Sequence, residues 1–149
     1  MESRKVAIVS DHAGYHLKEK LIRFLLKQDT DLKDLGSYKY EETDDYPEFG
    51  HILARGVSDG EYDLGISICG TGNGINMTAN KHQGIRSAIC WNEEIARLAR
   101  AHNDANICAL PARFINESEA MLIVRAFLET KFEGGRHERR IGNIPIKIY

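Results

Sequence analysis

Short apolar runs alternate along this chain with longer stretches in which apolar residues recur every three or four positions, the spacings of buried strands and amphipathic helices. Lys5–Ser10 predicts a first strand, and Leu17, Leu21, Phe24 and Leu25, with Lys and Glu between them, predict a helix. Asp31–Leu35 is a short, poorly apolar second strand closed by Gly36. Residues 37–46 form a polar loop with Glu41, Glu42, Asp44 and Asp45, an acidic composition typical of solvated surface. Pro47 suits the first turn of a helix whose stripe is Phe49, Ile52, Leu53 and Val57. Leu64–Ile68 predicts a buried third strand, followed by a glycine-rich turn and a helix from Ile75. Ile85–Cys90 and Ala105–Leu110 predict the fourth and fifth strands, separated by a helix with Ile95, Leu98, Ala99 and His102 on one stripe. Asn116 caps a last core helix that buries Ala120, Ile123, Val124, Phe127 and Leu128.

Strands and helices alternating in this way predict an α/β fold, a Rossmann-like five-stranded parallel sheet in a three-layer α/β/α sandwich. Right-handed crossovers set the ligand crevice of such a fold at the carboxyl ends of its strands. The chain has 149 residues, one domain that buries a core without disulfides or metal. No internal repeat or low-complexity linker interrupts it. A net charge of −2 with no long basic block argues against nucleic acid and anionic membranes as partners. No run approaches the ~18 apolar residues of a transmembrane helix, and the first apolar run is too short for a signal peptide. Three cysteines, odd in number and without metal-ligand spacing, suit thiols in a reducing cytoplasm.

The chemistry is concentrated in Cys69-Gly70-Thr71-Gly72-Asn73-Gly74, at the end of the third strand. Alternate glycines bring backbone N–H groups close to a ligand, and the following helix adds unpaired N–H groups at its positive end. The spacing is neither that of a dinucleotide-binding turn nor that of a P-loop. Asp11-His12 follows the first strand, His102-Asn103 ends the fourth helix and Arg113 follows the fifth strand. Arg136 and Arg140, four apart, share a face if helical and can grip one phosphate. Each has a plainer reading taken alone: a core cysteine, a capping Asp11, a core His102, a surface Arg113, a solvated basic end. His16, His51 and His82 read as structural, and Cys90 and Cys108 as core.

Taken together, Ser-Asp-His-Ala-Gly, Asp-Tyr-Pro, Cys-Gly-Thr-Gly-Asn-Gly with Ala-Asn-Lys, Gly-Ile-Arg, His-Asn-Asp-Ala-Asn and Glu-Gly-Gly-Arg-His-Glu-Arg-Arg resemble the type B ribose-5-phosphate isomerases. The wider family includes allose-6-phosphate and galactose-6-phosphate isomerases. The motifs keep order and spacing over residues 5–140. The resemblance implies that Cys69 is the catalytic base and that His102 assists opening of the furanose ring. Asp11 and His12 become substrate contacts, and Gly70, Thr71, Gly72, Asn73 and Gly74 the loop around an enediolate. Asn103, Arg113, Arg136 and Arg140 become further sugar and phosphate contacts, with Tyr46 of Asp-Tyr-Pro nearby. Asn73 stands where many members carry an aliphatic residue, which leaves its N–H available and its side chain without an assigned role. Some members use a glutamate further along the loop as base; Met77 and Thr78 stand there, so Cys69 is the base expected.

The implied reaction is aldose–ketose interconversion of ribose 5-phosphate and ribulose 5-phosphate, in the non-oxidative pentose phosphate pathway, with no metal or organic cofactor. A six-carbon aldose phosphate is the alternative substrate, and a non-catalytic sugar-phosphate-binding module the alternative from another class. A homodimer or dimer of dimers is expected, with each site drawing on two chains. Gly134-Gly135 is a hinge before a segment with little apolar content to dock on its own domain. The tail after it alternates Ile144, Ile146 and Ile148, an apolar edge that calls for a neighbour, so residues 134–149 are expected to pack on another subunit.

Overall fold

The computed structural model describes residues 3–148; Met1, Glu2 and Tyr149, at the ends of the expected domain, lie outside the described residues. Strands β1 (Lys5–Ser10), β2 (Asp31–Asp34), β3 (Leu64–Cys69), β4 (Ser87–Ile89) and β5 (Ile107–Pro111) form one parallel sheet in the order β2-β1-β3-β5-β4. The helices are α1 (Tyr15–Lys27), α2 (Tyr46–Ser58), α3 (Asn73–Ala79), α4 (Glu93–Asn103), α5 (Glu117–Glu129) and α6 (Arg136–Ile141). Strand burial explains the order: β3 and β5 are buried at every residue, whereas β2 alternates and β4 is half-buried throughout. Runs apolar on both faces belong at the sheet centre, and the two thinner strands take its edges.

Alternation along the strands divides the core into two layers. Val6, Ile8, Leu64, Ile66, Ile68, Cys108 and Leu110 face α1, α4 and α5, packing on Leu21, Leu25, Ala96, Ala99, Ala120, Ile123 and Phe127. Ala7, Val9, Cys69, Ile107 and Ala109 face α2 and α3, packing on Phe49, Leu53, Val57, Ile75 and Ala79. Buried Cys90 and Cys108 belong to the first layer, as expected, and a hydrogen bond between them, then burial, hold the Cys108 thiol well above its ordinary pKa.

Several expectations need correction. β4 is shorter than Ile85–Cys90 because Arg86 gives its N–H to the Asn106 side chain (2.8 Å) rather than to a strand. β5 starts at Ile107 rather than Ala105, and β2 stops at Asp34 rather than Leu35. Ile52 and Ile95, assigned to buried stripes, are exposed; each sits on the flank of a stripe that the sheet covers only along its middle. His51 and His82, read as structural, pair with each other at 2.7 Å between Nδ1 and Nε2.

Candidate active site

β1 and β3 are neighbours, but the chain leaves them toward opposite edges of the sheet, so their carboxyl ends flank a crevice at the topological switch point. Asp11 and His12 lie just beyond β1, and Cys69 ends β3. The Asp11 N–H donates to the Ile68 carbonyl (3.2 Å), and Asp11 Oδ1 accepts from the Gly14 N–H (3.2 Å). Gly14 is needed for this approach: a Cβ there would lie 2.6 Å from Ile68 Cγ2 and 2.7 Å from the Ile68 carbonyl oxygen. Burial is the first influence on Asp11 and raises its pKa above the ordinary carboxylate value.

Cys69 is almost completely buried. Past it, β3 and β5 stay joined: the Ala112 N–H donates to the Cys69 carbonyl (2.9 Å) and the Arg113 N–H to the Gly70 carbonyl (3.0 Å). The guanidinium of Arg113 then lies over Gly70, where an added Cβ would be 3.1 Å from Nη1. Gly72 adopts φ +76°, the left-handed turn that starts α3 at Asn73. Thr71 Oγ1 accepts the Asn73 N–H (3.1 Å), so this side chain braces the loop from within. Tyr46, the first residue of α2, packs its ring on Gly74 at a position a methyl group would occupy. Asp11, His12, Tyr46, residues 69–74 and Arg113 therefore share one end of the sheet.

Asp44 joins them, although the acidic composition of its loop predicts solvated surface. Its Oδ1 accepts two hydrogen bonds from His12, from the backbone N–H (2.9 Å) and from ring Nδ1 (2.7 Å). The Asp44 side chain is 9% exposed. This bond, first among its influences, raises the His12 pKa above 6.5 and favours imidazolium. A usable signal was topological: a loop leaving a parallel strand starts at the sheet's carboxyl edge, so its acids fall beside the crevice.

His102, Asn103, Arg136 and Arg140 lie elsewhere. α4 runs antiparallel to the strands and ends at the amino edge of the sheet, where the Asn103 carbonyl accepts from Arg86 Nε (2.9 Å). The Asn106 side chain beside it accepts from the Arg86 N–H (2.8 Å). The level of Ile107, paired with Gly65, lies four residues from the Cys69–Pro111 pair, about 13 Å along a strand. His102, expected on an apolar stripe, has a 38% exposed side chain. α6 stands beside it, with the His137 ring stacked on His102 at 4.4 Å. The segment expected to lack a dock on its own domain thus has one, through buried His137. Ile146 and Ile148 beyond it are 92% and 96% exposed.

Among the described residues, two groups of side chains have donor atoms close enough for a metal ion, Asp11 with His12 and Asp44, and His102 with Glu133 and His137. In the first, His12 Nδ1 is already committed to Asp44, so an ion pair accounts for it. No helix is long and apolar enough to cross a membrane among the described residues.

A buried thiol directly before a glycine-rich loop, with His12 and Arg113 at the same switch-point crevice, defines an α/β enzyme for a small anionic substrate. A sequence model described as Ribose/Galactose Isomerase matches residues 6–144, and the chain belongs to this family. A probable ribose-5-phosphate isomerase B of Mycoplasma pneumoniae is 43% identical over 139 residues, 93% of this chain and 91% of that protein. The solved ribose-5-phosphate isomerase B of Clostridium thermocellum is 48% identical with a TM-score of 0.91, covering 94% of both chains. That of Mycoplasma genitalium, solved with bound ribulose-5-phosphate, is 43% identical with a TM-score of 0.93, covering 97% of this chain and 95% of that one.

Proposed function

We propose that this chain interconverts ribose 5-phosphate and ribulose 5-phosphate, as a homodimer or dimer of dimers whose sites each draw on two chains. The observation that carries the chemistry is Cys69, a buried thiol at the end of β3 directly before the Gly70–Gly74 loop. As thiolate it takes the C2 proton of the open-chain aldose, and the electron pair left behind forms a cis-enediolate with its charge on O1. The proton is returned to C1 while the hydroxyl proton of O2 passes to O1, which leaves the ketose. Loop N–H groups hold the enediolate oxygen; one such donor is commonly worth about 10²–10³ in turnover. α3 is only seven residues long, so the loop amides carry more of this than a helix dipole does.

Asp11 and His12 contact the sugar, and Arg113 the phosphate, from the same chain as Cys69. His102, assigned to ring opening, and Asn103, Arg136 and Arg140 come from a second copy. The separation of about 13 Å along the sheet supports this division, because one chain cannot bring both groups to one small sugar. The tail supports it too. Ile141, Ile144, Ile146 and Ile148 line a cavity of about 410 Å³ with residues 80–86, and covering Ile146 and Ile148 would contribute about 3–6 kcal/mol.

The ribulose-5-phosphate bound in the Mycoplasma genitalium structure favours the five-carbon substrate. Parallel assays on ribose, allose and galactose phosphates test it, with turnover of ribose 5-phosphate far above the others expected. Alkylation of the thiol should abolish activity, and ribose 5-phosphate should protect. Activity on six-carbon phosphates alone contradicts the substrate; ligand binding without any thiol-dependent turnover would make the chain a binding module.

A further inference from the structure

Beyond α5 the chain folds back onto the end of α4. The Glu133 N–H donates to the Ala101 carbonyl (3.0 Å). Gly134 and Gly135, with φ of +71° and +59°, then turn the backbone into α6. The result is a cluster of two imidazoles and one carboxylate. Glu133 Oε2 lies 3.8 Å from His102 Nε2 and 3.6 Å from His137 Nε2, and all three donor atoms fall within 4.8 Å of one another. These distances are too long for hydrogen bonds.

His137 is 6% exposed, and its Nε2 is buried with no hydrogen-bond partner. In native proteins a buried polar atom left unpaired commonly marks a water or an ion.

We propose that His102, Glu133 and His137 form a site for a divalent ion of the zinc type, and that filling it silences the isomerase by engaging His102 Nε2. The silencing rests on the assignment of His102 to ring opening; the site itself does not. Two imidazoles and a carboxylate suit zinc rather than magnesium or calcium. Tetrahedral ligation with bonds of about 2.0–2.1 Å sets donors roughly 3.3 Å apart, a few tenths of an ångström closer than the two distances to Glu133. The stacked rings, 14° from parallel, must open, because ligand lone pairs lie in the ring planes. Half-exposed His102 supplies that turn about its Cβ–Cγ bond while buried His137 stays in place.

The test titrates zinc, and cobalt as its visible reporter, into the full-length protein, Glu133→Gln and His137→Phe. The phenylalanine keeps a ring against His102, so loss of the stack does not confuse the result. Binding is read from cobalt absorption and by calorimetry, and turnover is read relative to each protein's own metal-free rate. The expected result is one tetrahedral ion per chain, without a thiolate charge-transfer band, and inhibition with the midpoint of binding. Both variants should weaken binding by more than the roughly 10–100-fold typical of losing a mere supporting partner. Unchanged affinity in both variants, or a thiolate band from Cys69, overturns the site. Binding that depends on Glu133 and His137 but leaves turnover untouched overturns the silencing and removes His102 from the reaction.

Discussion

Asp44→Asn isolates the residue that sequence reading left in solvent. The substitution is close to isosteric, and the amide oxygen can still accept both His12 bonds, now at 2.9 and 2.7 Å. What disappears is the charge. Hydrogen bonds to charged groups contribute about 1.5–3 kcal/mol and neutral ones about 0.5–1.5, so the difference is roughly 1 kcal/mol, consistent with side chains 25% and 9% exposed. The His12 pKa, raised by Asp44 above 6.5, should move back down. Wild-type His12 stays cationic to higher pH than the variant's, so the two proteins should differ most as pH rises through that window. They should converge in acid, where both rings are protonated. KM for the sugar phosphate should rise by about five- to tenfold above neutrality, with kcat changed much less. Imidazole proton resonances and KM measured against pH report the two effects. An unchanged His12 titration, or a KM ratio constant across pH, would refute the reasoning.

Three further outcomes follow from the geometry. Cys69→Ala should keep the fold and phosphate binding while turnover falls by orders of magnitude; retention of more than about a tenth of the rate, a loss below ~1.4 kcal/mol, removes Cys69 as base. Gly14→Ala forces a methyl group to 2.6–2.7 Å from Ile68, an overpacking of about 1–3 kcal/mol that should lower Tm by roughly 2–12 °C, and an unshifted melting curve would contradict the close packing of β1's end on β3. Burial, then His51, lower the His82 pKa below 6.5, so its contribution to stability is present above pH 6.5 and lost as pH falls through the lowered value. Urea midpoints of His82→Asn should therefore fall less steeply in acid than those of wild type, and parallel curves would show that the pair is not felt.

The fold was legible because its periodicities are strong. Every strand and every core helix follows from runs such as Leu64–Ile68 and stripes such as Ala120, Ile123, Val124 and Phe127. The thiol and its loop were legible for the same reason, since a Gly-rich turn announces itself locally. What escaped depends on chain closure over long separations. Asp44 reaches His12 across 32 residues, and nothing in a loop with four acids says which one turns inward. His51 and His82 meet across 31 residues. The insertion of β5 between β3 and β4 rests on the relative burial of two short strands, visible only after the sheet is assembled. His102 reads as core from spacing alone, because helical phase gives a side chain's direction but not where the sheet beneath it ends.

The proposed function places the thiol and the arginine pair that serve one sugar on different chains. Subunit mixing tests it. Inactive Cys69→Ala is combined with inactive Arg136→Ala/Arg140→Ala, and the chains are allowed to exchange through mild denaturation and refolding. With the groups on different chains, each mixed dimer holds one intact site and one doubly damaged site. Activity should then return to about a quarter of wild type at equal mixing, half of the dimers carrying one of two sites. Mixed dimers that form, as seen by mass spectrometry of the intact assemblies, and remain inactive would place Cys69 and the arginines in the same chain's site and contradict the account.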